Sequence, residues 1–229
     1  MFRLATVAAL LALTPTVAAA DCAMWGLAPK VMNADLGVPQ DGGILVVAAA
    51  LQQGALDKGD VAVQPGWRFR GAKGLVKPSI EPLAPGLAVY RLPTTGAVVL
   101  EDTKHAVVAQ ATGLTEPRAR LATPKVASIR FESSLGRHSA TTVTVTLDGA
   151  PPAGAVVLVV ADGKGVPRSW GYVTSSTVTA YSSGDCHALP NGTVLSQAGD
   201  QVSVFFVDNT GRKSGASKLI TIAAAPPTP

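Results

Sequence analysis

The sequence predicts an all-β protein: two β-sandwich domains behind a cleaved signal peptide. Three observations lead there. Short apolar runs alternate with Gly, Pro, Asn and Asp at short spacing, the punctuation of strands and turns. About seven such runs crowd into the roughly 100 residues before the C-terminal tail, the strand count of a β-sandwich. The first 20 residues, "MFRLATVAALLALTPTVAAA", carry the parts of an export leader in the right order.

In that leader Arg3 supplies the positive start, and residues 4–13 form an apolar run of signal-peptide length, too short to span a bilayer. Ala18 and Ala20 form an A-x-A cleavage signal before Asp21. Asp21 stands directly before Cys22, where lipidation signals need a small residue, so a lipid anchor is not expected. Removing 20 of the 229 residues leaves an exported chain of 209. No second apolar stretch reaches the roughly 18 residues of a transmembrane helix.

The expected first domain covers 21–115. "NADLGVPQDGG" (33–43) reads as a loop, with Asp41-Gly42 as a hairpin signal. "ILVVAAALQ" (44–52) reads as a buried strand, followed by "VAVQ" (61–64), "WRFRG" (67–71), "LAVYRL" (87–92), "AVVLE" (97–101) and "HAVVAQA" (105–111). Pro65, Pro78, Pro82, Pro85 and Pro93 exclude helices there and mark turns or sheet edges. Residues 116–125, polar and carrying two prolines, read as the linker.

The second domain is expected over 126–223. "VASIRF" (126–131) alternates, and "TTVTVTL" (141–147) has a strict period of two, with Val143, Val145 and Leu147 on one face. "GAVVLVVA" (154–161) reads as a central strand ended by "DGKG" (162–165). "RSWGYV" (168–173), "TVTAY" (177–181), "DQVSVFFVD" (200–208) and "ASKLITI" (216–222) complete the set. Residues 224–229 read as a disordered tail. The stretch "VSVFFVDNTGRKSGASKLITI" (202–222) resembles the final hairpin of immunoglobulin-like and fibronectin type III-like domains of bacterial envelope proteins. In both, an alternating strand runs into an Asp, a Gly-containing turn and a Ser, then a last strand. The resemblance covers roughly residues 124–223 and implies a fold, not an activity. It departs from the immunoglobulin pattern in its cysteines, because Cys186 has its only possible partner, Cys22, in the other half.

"SSGDCHALP" (182–190) places Asp185, Cys186 and His187 side by side. In an oxidising compartment a Cys22–Cys186 disulfide is the expected outcome. It would close a loop of 164 positions, for which chain entropy gives about 5 kcal/mol as an upper figure. The alternative is a metal site using Cys22, Met24, Cys186 and His187, but no CxxC, HxxxH or HExxH spacing occurs. No cofactor is expected. The G-x-S-x-G elbow, the phosphate loop and the dinucleotide fingerprint are all absent, so the chain is not expected to be an enzyme. A hydrolase of unrecognised type would have to draw on Glu101, Asp102 and His105 in "EDTKH" (101–105). His138 falls in a polar loop, and "NGT" (191–193) is a glycosylation acceptor only in a eukaryotic secretory pathway.

Composition is 47% hydrophobic and 15% charged, with 19 basic against 15 acidic residues. An excess that mild does not by itself imply nucleic acid. One local feature suggests a partner. "WRFRGAKGLVK" (67–77) puts Trp67 and Phe69 on one strand face and Arg68 and Arg70 on the other, followed by Lys73 and Lys77. Two readings follow: a half-buried strand with solvated arginines, or a cationic strip for an anionic envelope polymer or an envelope protein. Charge reversal at Arg68 and Arg70 is expected to leave stability nearly unchanged. A single-strand nucleic-acid platform would need both aromatics exposed. The expected function is therefore an exported, periplasmic or extracellular, non-enzymatic bacterial envelope protein that binds or scaffolds.

Overall fold

The computed structural model describes residues 30–32, 43–47, 67–84, 86–92, 97–111, 120–134, 140–184 and 197–224. Among these residues the regular structure is all strand, so the all-β fold class holds. No helix among them is long and apolar enough to cross a membrane.

The first half holds β1 (Lys30–Val31), β2 (Gly43–Val47), β3 (Arg68–Gly71), β4 (Gly74–Val76), β5 (Ser79–Ala84), β6 (Leu87–Arg91), β7 (Val98–Glu101) and β8 (Val107–Ala111). They form two four-stranded sheets, in the orders β1-β2-β6-β5 and β4-β3-β7-β8. Between them lies a core of Ile44, Val46, Ala88, Tyr90 and Leu92 from one side and Phe69, Val98 and Leu100 from the other. Phe69 and Tyr90 stack with centroids 5.5 Å apart. The Tyr90 hydroxyl finds no hydrogen-bond partner among the described residues, and burial pushes its pKa up to about 12.

The second half holds β9 (Val126–Ser134), β10 (Ala140–Leu147), β11 (Ala155–Asp162), β12 (Pro167–Tyr172), β13 (Thr177–Gly184), β14 (Gln201–Asp208), β15 (Ile220–Thr221) and β16 (Ala223–Ala224). The order is β15-β14-β11-β12-β13-β10-β9-β16. β12 and β13 are joined through the single register pair Trp170↔Tyr181, which is where the sheet folds over. Its two wings then face each other, sandwich-like. Ile129, Val143, Val145, Leu147, Val178 and Ala180 meet Leu158, Val160, Val202, Val204 and Phe206. The last segment closes the structure: Ile220–Thr221 pairs antiparallel with β14, and Ala223–Ala224 pairs parallel with β9.

The halves share a third core. β2, β6 and β11 are nearly continuous runs of buried residues, because each strand serves two layers. Ile44, Val46, Ala88 and Tyr90 point into the first core, while Leu45, Val47, Leu87 and Val89 point the other way. There they meet Val157, Val159 and Val207 from the outer face of β11 and β14, while Leu158 and Val160 fill the second half's own core. The result is four sheet layers with three apolar seams. At the rim of the middle seam, Lys213 Nζ donates to Glu81 Oε1 at 3.0 Å, and Arg91 donates to Glu81 Oε2 at 3.0 Å. Burial works against Glu81's charge, but these donors outweigh it and hold the carboxyl below its ordinary range. Residues 120–125, the described part of the expected linker, form no strand, and Leu121 is buried in the second core.

Candidate functional site

The open face of β4-β3-β7-β8 is where the sequence-predicted strip lies. Alternation along β3 turns Phe69 into the core, only 3% exposed, and leaves Arg68 and Arg70 outside. Trp67, just ahead of the strand, is half-buried against the same core. The buried Phe69 ring is thus no stacking platform. Lys73 and Lys77 flank β4 and are exposed.

Arg70 is not a free surface charge. Its Nε and Nη2 donate to Glu101 Oε1 and Oε2 at 3.1 and 3.0 Å. Glu101, at the end of the neighbouring strand, has a side chain only 12% exposed. The expectation that Arg70 could be reversed without cost does not survive this, since a reversed charge would sit against a covered carboxylate. The Arg70 hydrogen bonds, with a smaller contribution from His105 and against some desolvation, hold Glu101 below the ordinary carboxylate range.

His105 completes the cluster. Its Nδ1 lies 3.6 Å from Glu101 Oε2, and its Nε2 lies 3.5 Å from Arg68 Nη1. Asp102 does not join. Its Oδ1 accepts the backbone N–H groups of Lys104 and Ala106, so it builds the turn between β7 and β8. The structure therefore gathers Glu101 and His105 from "EDTKH" and draws in Arg68 and Arg70, which sequence spacing could not connect to them. Two register rows cross this face: Leu75–Arg70–Val99–Gln110 and Arg68–Glu101–Val107. Leu75 and Val107 are its exposed apolar residues, at 67% and 61%. The arrangement can neutralise and orient an anion. Among the described residues, the carboxylate this face offers for acid–base chemistry is Glu101, which Arg70 already holds.

Cys22, Met24, Cys186, His187, His138, Asn191–Thr193 and the leader all lie outside the described residues. Among the described residues no cluster of His, Cys, Asp or Glu could hold a metal ion.

No protein family matches the chain, and no curated protein matches it. Among solved structures it is similar to a β-glucuronidase from Ruminococcus gnavus in complex with N1-substituted uronic isofagomine, at 12% identity and a TM-score of 0.23, over 80% of this chain and 37% of that one. The apo structure of that enzyme aligns likewise, at 12% identity and a TM-score of 0.23, over 80% and 36%. The chain thus spans little more than a third of the enzyme chains it aligns with, and a likeness at that score carries no argument.

Proposed function

We propose that this is an exported, non-enzymatic cell-envelope protein that uses the open face of its β4-β3-β7-β8 sheet to bind an anionic envelope polymer. The supporting observation is the cationic strip itself. Arg68, Lys73 and Lys77 are exposed and have no carboxylate partner among the described residues, while Phe69 pins the strand that carries the strip from below. The leader pattern at residues 1–20 supports the compartment. The strand orders β13-β10-β9-β16 and β12-β11-β14-β15 support reading residues 126–223 as an immunoglobulin-like sandwich that serves as a scaffold.

The test is binding of the full mature chain to polygalacturonate at low and high salt. Lys73→Glu with Lys77→Glu should weaken binding about tenfold at low salt, corresponding to about 1.4 kcal/mol, and the difference should shrink as salt rises. Folding stability should change by no more than about 0.5 kcal/mol. Binding that ignores both the reversal and the salt would return the strip to a purely structural role.

A further inference from the structure

Among the described residues, three hairpin turns are built by the same device. Asp102, Asp162 and Asp208 each accept two backbone N–H groups, from the second and the fourth residue beyond, on a single carboxylate oxygen. In each turn the residue three positions on donates its N–H back to the Asp carbonyl. That residue lies in the left-handed region: Gly165 at φ 80°, Gly211 at φ 81° and His105 at φ 64°. Two of the turns use glycine, which carries no Cβ penalty there. The third uses a histidine. His tolerates the region better than branched side chains do, yet it still costs on the order of 1 kcal/mol. The ring it carries is the one that bridges Glu101 and Arg68.

We propose that Arg68 and His105 form an acid-gated subsite for a carboxylate group of the bound polymer. The proposal rests on the reading that this sheet face binds such a polymer. Nδ1 faces the Glu101 carboxylate, which favours a proton there and leaves the Nε2 lone pair toward the Arg68 Nη1–H. In that neutral state the imidazole occupies part of Arg68's donor fork. A solvent proton on Nε2 turns the acceptor into a donor. Nε2–H and Arg68 then repel each other unless an anion lies between them. The face already shows how it holds a carboxylate: Glu101 sits between the Arg70 guanidinium and the His105 ring. Arg68 and Nε2 offer the same pair of groups on the ring's outer side. Among the described residues, the charged groups around the ring are Arg68 and Arg70 from β3, Glu101 from β7, and Asp102 and Lys104 from its own turn. Asp102 is occupied by backbone donors.

The experiment measures polygalacturonate binding by the full mature chain at about pH 8 and about pH 5.5, both above the range in which polymer carboxylates lose their charge. Wild type should bind about fivefold tighter at the lower pH, which corresponds to about 1 kcal/mol. His105→Gly, which suits the backbone, and His105→Gln, which keeps a polar side chain, should bring that ratio to about one. Lys73→Glu with Lys77→Glu should lower affinity at both pH values and keep the ratio. A fivefold gain persisting in both His105 variants would overturn the subsite while leaving the polymer reading intact. No binding by wild type at either pH would overturn the polymer reading itself.

Discussion

Gly165 and Gly211 occupy the same position in the same kind of turn with nearly the same φ, yet their surroundings differ. A Cβ added at Gly165 meets open space, whereas one at Gly211 would overlap the Val89 side chain across the middle seam. Gly165→Ala should therefore cost about 1 kcal/mol, the price of the left-handed backbone alone. Gly211→Ala should cost a further 1–3 kcal/mol or so, because the two halves must part to admit a methyl group. Urea titration of both variants checks the gap, and equal losses would mean that the turn after β14 does not press on the first half. Sequence reasoning read both glycines as turn residues and could go no further, since Val89 is remote in the chain. The same limit applies at the candidate site. "WRFRG" told which side chains share a face, and "EDTKH" listed the right acid and imidazole. That Arg70 belongs to Glu101, 31 positions away, depends on how β3 and β7 pair.

Pattern was most legible where a strand has one wet face. "TTVTVTL" became the inner part of β10, with Val143, Val145 and Leu147 buried and their threonine neighbours half-buried. β5 was missed as a strand because Pro82 interrupts it, yet β5 lies at the edge of its sheet, where a missing N–H breaks no ladder. "ASKLITI" was expected to be one strand and is divided: Ser217 bonds Val204 outside any regular strand, Ile220–Thr221 pairs with β14, and the chain then crosses to β9. "ILVV" and "AVVLVVA" were legible as buried strands, but a continuous apolar run does not say what lies on each side. At the level of strand pairs, the Arg70–Glu101 bridge ties β3 to β7 and gives their pairing a pH dependence. Glu101's carboxyl is held below its unfolded value, so the stabilisation is present above about pH 4.3 and is lost as pH falls through the lowered folded value. Glu101→Gln should flatten that acid limb in a denaturation series from pH 6 to about 3. An unchanged acid limb would show that the bridge does not contribute.

In the whole molecule, the middle seam decides how the halves behave. Val157, Val159 and Val207 are fully buried by residues of the first half, including Leu45, Leu87 and Val89. A fragment spanning residues 120–224 would expose that apolar patch. It should bind a hydrophobic dye and self-associate, whereas the whole chain should unfold in one cooperative transition. Two well-separated transitions in the whole chain would show that the seam couples the halves only weakly. The closing segment has a consequence of another kind. β16 runs parallel to β9 and beside it, so a pull on the start of β9 and on the end of β16 draws the two strands past each other along their length. The pairs Ala223↔Arg130 and Ala224↔Phe131 would then be loaded together, in shear, and would not open one after another like a zip. If this chain is held at both ends, that geometry sets the second half to meet tension along its strands and not across them.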